Sequence, residues 1–441
     1  MSDAQRAIDA IWRIESARLI AALARIVRDV GAAEELAQDA LVAALEQWPR
    51  SGIPERPGAW LMATARHRAI DLLRRRSALE RKQQELAREL SSREHPDAAE
   101  AAMLEQDYGG DDLLRLLFVT CHPVLSKEAR VALTLRLLGG LATDEIARAF
   151  LVATATVAQR IARAKRTLAE ARVPFEVPSG AERGARLGSV LEVLYLIFNE
   201  GYTATAGEDW IRPALCEEAL RLGRILAELA PAEPEAHGLI ALMEIQASRL
   251  AARVGPRGEP ILLADQDRSR WDRVLIQRGL AALERAEHLG GALGPYALQA
   301  AIAACHARAP SAAETDWLRI AALYDALAQL SPSPVVELNR AVALAMAFGP
   351  AAGLALTDAL VDEPSLAGYH LLPSVRGDLL ERLGRAEEAR AEFERAAELT
   401  RNARERELLL ARAAAAAAGA PPAGAPPAGA PRAGAPRSDP D

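Results

Sequence analysis

Two groups of polar side chains in this chain have the types and spacing to hold an anionic polymer. The first is Thr64, His67, Arg68, Asp71, Arg74 and Arg75, within "TARHRAIDLLRRR". On a helix at about 100° per residue these share one side, while Met62, Ala65, Ala69, Leu72 and Leu73 share the other. Arg66 falls at the edge of the apolar side, where its stem can snorkel. The second group is Thr156, Gln159, Arg160, Arg163 and Arg166, within "TATVAQRIARAKRTL". It lies opposite an apolar stripe of Val157, Ile161, Ala164 and Leu168. The chemistry open to such groups is recognition, not bond-making. Arginine forks grip phosphate oxygens, and Gln and Arg read base edges bidentately in a major groove. The same patterns also suit ordinary solvent-facing helices.

The positive charge is local. The chain has a formal net charge of −7, yet residues 56–88 hold nine Lys/Arg against three Asp/Glu, and residues 156–172 hold five against one. Two basic islands in an acidic chain fit two contacts with a polyanion. A third surface has the opposite sign. In "AAEELAQDALVAALEQW", Glu35, Asp39 and Glu46 stand at spacings of 4 and 7 and share a helix face. That face suits a partner other than the polyanion, or simply solvent.

These side chains need helices to carry them, and the composition supplies helices. Half of the 441 residues are hydrophobic and aromatics are 4%, with Ala and Leu dominant. Such a mixture favours an all-α fold. Residues 10–77 read as one helical unit, in which Pro49, Pro54 and Pro57 stiffen a loop ahead of Gly58 and Trp60. Residues 78–112 read as a charged linker with a helical first half. Residues 113–173 read as a second unit containing a helix-turn-helix, "LATDEIARAFLVATATVAQRIARAKRTL". There Thr143 is expected to cap the first helix and Thr154 the second, with Ile146, Ala147 and Phe150 facing the core. The "LVAT" turn lacks the glycine often found in such turns. Residues 184–411 read as a longer helical region. The Pro/Gly/Ala-rich end from about 413 to 441 is too low in complexity to build a core and is expected to be disordered.

Cys121, Cys216 and Cys305 are far apart and fit no disulfide or zinc pattern, as expected of reduced thiols in a cytoplasmic protein. "TCHP" pairs Cys121 with His122 but has no further ligands at metal spacing. The amphipathic, acid-containing start is unlike a signal peptide, and no apolar run reaches the ~18 residues of a membrane span. No cofactor, metal site, phosphate loop or nucleophile constellation is expected.

Both basic islands, in this order and separation, resemble bacterial RNA polymerase sigma factors of the extracytoplasmic-function group. "AEELAQDALVAALEQW" with "AWLMATARHRAIDLLRR" resembles sigma region 2, and "LSKEARVALTLRLLGGLATDEIARAFLVATATVAQRIARAKRTL" resembles sigma region 4. "LYLIFNEGY" and "DQDRSRWDRVLI" resemble the signatures of a subgroup with a tetratricopeptide-like C-terminal extension. The resemblance spans about residues 10–410. It implies that the first basic helix recognises and helps melt the promoter −10 element, where a base is flipped into a pocket. It implies that the helix-turn-helix sits in the −35 major groove, and that Glu35, Asp39 and Glu46 face the β′ clamp helices of core RNA polymerase, with the β subunit a further contact. The family usually carries Asn where this chain has His67, so the base preferred there stays open.

The C-terminal half gives a weaker repeat signal. Gly377, Gly384, Ala389, Phe393 and Ala396 follow the small-residue spacing of a 34-residue helix pair. Ala355 lies 34 before Ala389, and Gly349 lies 35 before Gly384. "NEGYTA" and "DQDRSRW" fit a ligand or interdomain site. The structural role is favoured, in which Asp267 or Ser269 caps a helix near Arg270 and Tyr202 and Trp271 are core. The favoured function is a sigma factor with no enzymatic activity, whose extension contacts and regulates the sigma domains in cis. The alternative is an operator-binding helix-turn-helix regulator with the repeat array as its sensor. An enzyme hidden around Glu200 and Asp265 is a third reading, with no catalytic cluster to support it.

Overall fold

Helix dominates because little in the sequence competes with it. The structure, a computed structural model, describes residues 3–88 and 110–418. These form eighteen α-helices, and the all-α expectation holds. The two described strands, β1 (Ala206–Gly207) and β2 (Arg401–Asn402), are two residues each and pair in parallel. The described residues divide into two units. One runs to Phe198 and includes Glu217–Ala230; the other holds Asn199–Cys216 and the residues from Pro231 onward.

The first unit opens with α1 (Asp3–Val27), α2 (Val30–Ser51) and α3 (Pro57–Arg88), which pack on one another. Asp29 caps α2 by accepting from the Ala32 amide at 2.9 Å. Ala33, Leu36, Ala37, Ala40, Ala44 and Trp48 then recur every three or four residues and are buried. Gly52, at φ 84°, ends the helix in a conformation side-chain-bearing residues avoid. Pro57 starts α3, and Trp48 meets Trp60 edge-on at 5.3 Å, joining the two helices behind the loop. Helix α3 continues through Arg88, past the expected unit end at 77. Residues 89–109 of the expected linker lie outside the described residues.

Next come α4 (Gly110–Thr120), α5 (Lys127–Leu137), α6 (Thr143–Ala149) and α7 (Thr154–Glu170), followed by α8 (Gly180–Tyr202) and α9 (Pro213–Leu229). The helix-turn-helix segment is not free-standing. From α8, Arg186 donates to the Phe118 carbonyl at 2.9 Å and Ser189 to the Cys121 carbonyl at 2.5 Å. Arg130 of α5 donates to Ser189 Oγ and pairs with Glu192 at 3.2 Å. Arg221 of α9 donates to the Leu138 carbonyl at 2.6 Å. These bonds end backbone carbonyls that would otherwise be left without partners.

In the second unit α10 (Pro234–Ala247), α11 (Arg273–His288), α12 (Pro295–Arg308), α13 (Trp317–Leu330), α14 (Pro334–Phe348), α15 (Pro350–Asp358), α16 (Leu371–Arg382), α17 (Ala386–Leu399) and α18 (Ala403–Ala417) pack in chain order. Ala389, Phe393 and Ala396 are fully buried, and a Cβ at Gly377 would stand 2.7 Å from the Phe393 ring. Gly349 (φ 100°) and Gly384 (φ 76°) occupy matching turns. The pairing of Ala355 with Ala389 is corrected: Ala355 is exposed, and the close crossing is at Gly353, where a Cβ would lie 2.6 Å from the Ala341 carbonyl. The expected disorder from about 413 is corrected for its first residues, since α18 is helical through Ala417; residues 419–441 lie outside the described residues.

Asn402 joins the end of this unit to its start. Its Oδ1 accepts from the Arg404 and Glu405 amides, capping α18, and its Nδ2 donates to the Ala204 and Asp209 carbonyls at 3.0 and 2.8 Å. Asn402→Ala removes the cap and strands two carbonyls, so we expect a loss of about 2–4 kcal/mol. Thermal unfolding of the full chain checks this, with a midpoint fall of several degrees expected.

Candidate nucleic-acid interface

The α3 stripe is built as its spacing requires. Leu61, Ala65 and Ala69 are buried, and Met62, Leu72 and Leu73 are half-buried against the bundle. His67, Asp71, Arg74 and Arg75 are exposed on the other side. The Thr64 hydroxyl donates to the Trp60 carbonyl at 2.9 Å, so it is turned back onto its own helix. Arg68 pairs with Asp39 of α2 at 3.2 Å. The basic and acidic faces, read from the sequence as separate, therefore touch at this exposed pair.

On α2, Glu35, Asp39 and Glu46 are exposed together. Between them stand Val42 and Leu45, 51% and 39% exposed. Sequence reasoning missed these two. The signal was present, since 42 and 45 fall on the same wheel sector as the acids, and apolar side chains on that sector have no core to enter.

The helix-turn-helix is α6 and α7. Val157, Ile161, Ala164 and Leu168 are buried, while Thr156, Gln159, Arg163 and Arg166 are exposed and Arg160 is half-buried beside them. Both expected caps are corrected. The N-caps are Ala142 and Ala153, with no side-chain cap, and Thr143 and Thr154 are the first helical residues. At α6 the Glu145 carboxylate reaches back to the Ala142 amide at 2.7 Å and does the work expected of Thr143. In the turn, Leu151 takes φ 49°, the left-handed conformation usual for glycine, and the Val152 amide closes onto the Ala147 carbonyl. Leu151 is 52% exposed and loses little packing if shortened. Leu151→Gly should therefore raise stability by about 1 kcal/mol, read as an upward shift of the urea midpoint.

One feature of this unit had no counterpart in the sequence reading. Glu34 of α2, 3% exposed, accepts from Gln38 and from Arg136 of α5, each at 2.7 Å, and pairs with Lys165 of α7. Lys165 lies between the exposed residues Arg163 and Arg166. The exposed face of α7 thus borders an open cleft whose other wall is α2, with Glu35 and Gln38 opposite Ala162 and Arg166. Arg13–Glu145 and Arg25–Asp112 add ion pairs between the same two parts of the unit.

Other candidate residues have structural partners. Burial pushes the Cys121 thiol up to about 11, where it is an inert core group held by Thr120 and Thr134. His122 Nδ1 accepts from the Val124 amide. Glu200 is bound by Arg212 and Thr205, and Asp265 is exposed. Tyr202 and Trp271 are buried. Asp267 caps only the short turn Arg268–Arg270; the helix after it, α11, is capped by Asp272. Among the described residues no three His, Cys, Asp or Glu gather as a metal site, and no helix is long and apolar enough to cross a membrane.

Residues 13–79 match the family Sigma-70 region 2, and residues 115–168 match Sigma-70, region 4. Residues 186–287 match a family of unknown function, DUF6596. An uncharacterized protein of Rhizobium meliloti (strain 1021) is 46% identical over 387 residues, covering 87% of this chain and 90% of that protein. No solved structure matches.

Proposed function

We infer the role of this chain from the family to which it belongs: it is a member of the sigma-70 family, with regions 2 and 4 ahead of a C-terminal extension. Its sigma-70 domains support a role in promoter-directed transcription, with core RNA polymerase and promoter DNA as partners. The finer reading is ours. The chain acts as an extracytoplasmic-function sigma factor in the cytoplasm, and bond-making stays with the polymerase. Region 4 reads the −35 element through Thr156, Gln159, Arg160, Arg163 and Arg166. Region 2 holds the −10 element with Thr64, His67, Arg68, Asp71, Arg74 and Arg75. Glu35, Asp39 and Glu46, with Val42 and Leu45 among them, dock on the β′ clamp helices.

The observation that carries this reading is α7, whose apolar stripe is buried while its Gln and Arg face stays exposed. Such a helix can enter a major groove without unfolding its unit. A consequence concerns its partner. Helices α2 and α7 are in contact through Glu34 and Lys165. That contact lies beside the exposed face of α7, so DNA entering there competes with α2 for the same cleft, and docking of α2 on the polymerase would free α7 to bind.

Regulation in cis by the tetratricopeptide-like extension is supported by the bonds from Arg186, Ser189 and Glu192 to α4, α5 and the loop between them, which tie region 4 to the chain that follows. Run-off transcription with core polymerase tests the whole reading, and adding the truncation 1–178 gives the sign of the extension's effect. Sequence-specific operator binding by the free chain, undiminished without polymerase, would favour the regulator reading instead.

A further inference from the structure

The second unit holds three arginines that share their neighbours and, among the described residues, form no ion pair with an acid. Arg253 stands 3.7 Å over the Tyr202 ring and 5.5 Å over Trp210. Arg249 lies 5.8 Å from the Tyr202 ring and 5.8 Å from Trp271, and Arg268 is 4.7 Å over Trp271. Cations and rings therefore alternate. Beyond Arg268 lies His306, whose carbonyl takes one of its hydrogen bonds and whose ring meets Trp317 edge-on at 5.1 Å.

Every acceptor these guanidiniums reach is neutral. Arg253 donates to the Tyr202 carbonyl and Thr203 Oγ1, and Arg249 to Gln246 Oε1. Arg268 donates to the His306 and Ala309 carbonyls and to Thr315 Oγ1. Among the described residues no carboxylate forms an ion pair with any of the three. Nearby acids have other hydrogen-bond partners: Asp267 accepts from Ser269, Asp272 from the amides of Val274 and Leu275, and Glu259 from the Arg257 amide. Glu314 favours the charged form of Arg268 without pairing with it, and its carboxylate accepts from the Ser311 hydroxyl. Arg249 is only 8% exposed, and the Nε of Arg249 and of Arg253 is buried without a partner. Ring faces stabilise a cation by less than its burial costs, and like charges close together add to that cost. Burial, then Arg249 and Arg268, push the His306 imidazole down to about 4, so near neutral pH it adds no fourth charge. The arrangement is short of negative charge.

We propose that Arg249, Arg253 and Arg268 form the seat of a small oxyanion ligand, a metabolite-sized carboxylate or phosphate. Its oxygens would accept from the guanidinium forks and supply the charge the protein does not. The ligand is small because most of the seat is buried, with Arg249 8%, Tyr202 9% and Trp271 3% exposed, while Arg253 and Arg268 are half-buried at its open side. The site lies in the second unit, and its three arginines fall within or beside the motifs "NEGYTA" and "DQDRSRW" only at Arg268, so position in the fold and not motif defines it. The proposal does not depend on the sigma reading.

The test titrates the full chain with inorganic phosphate and, separately, with citrate, each against sodium chloride at matched ionic strength. Tryptophan fluorescence and the unfolding temperature are followed, since Trp210 and Trp271 lie against the arginines. At least one oxyanion should give a saturable change with one site per chain and a rise in unfolding temperature, and the two arms tell phosphate from carboxylate. Arg249→Met and Arg268→Gln should each weaken that affinity tenfold or more. If Arg249→Met fails to fold, Arg268→Gln, at the more open end, carries the comparison. The proposal is overturned if both oxyanions act as chloride does, or if Arg268→Gln binds with parental affinity.

Discussion

A Glu34→Ala variant of the full chain is expected to lose about 3–5 kcal/mol of stability in its first unit. The carboxylate is 3% exposed and faces Arg136 and Lys165, whose side chains are 25% and 23% exposed. Removing it leaves two half-buried cations facing each other with nothing between them. The large effect would come from that uncompensated charge, not from the net worth of the pair. Glu34→Leu combined with Arg136→Met and Lys165→Met should recover most of the loss, because apolar groups of similar size can replace a buried ionic cluster at little cost. Urea unfolding followed through Trp48 and Trp60, which lie in the same unit, reads the change. A Glu34→Ala midpoint within about 0.5 kcal/mol of the parent would mean the cluster is not closed in solution. Milder loosening has a second signature. Once α7 is released from α2, the chain should bind −35 DNA more tightly in the absence of polymerase.

Gln159→Ala and Arg163→Ala should each cost about 1–3 kcal/mol at their own base pairs, roughly a 5- to 150-fold loss of discrimination there, with little effect on folding. Both side chains are exposed on a helix whose opposite stripe is buried, so truncation leaves the core intact. Binding to a set of −35 sequences, each changed at one base pair, separates the outcomes. Loss confined to one or two positions identifies base contacts. An equal fall on every sequence would reduce these residues to phosphate contacts and contradict their assigned role.

The register of α7 was legible in the sequence because four apolar residues at spacings of four, three and four leave one solution for the buried face. The α3 stripe was legible for the same reason. Caps were harder. Thr143 and Thr154 have the right side chains one position too late, and at α6 Glu145 takes over, a choice that depends on where the preceding chain enters. The Glu34 cluster was out of reach of local patterns. Glu34 and Glu35 are adjacent acids, and rotation by one residue sends the first inward and the second outward. Glu34's partners lie 102 and 131 residues away. The arginines against Tyr202 and Trp271 were missed for a related reason. Those rings were correctly read as core, but nothing in the sequence shows that charges would be buried against them. Asn402, which holds the second unit closed, looks like an ordinary cap until Ala204 and Asp209 are placed beside it.

The most direct test of the central claim is run-off transcription by core RNA polymerase with the full-length chain, on the promoter upstream of its own gene or a selected promoter library. The account predicts transcripts from a defined start that require both the chain and core polymerase, and that fall when Arg74 and Arg75 are replaced together by Ala. If the chain neither binds core polymerase nor yields a transcript, it is not acting as a sigma factor, and operator binding by the free chain becomes the reading to pursue.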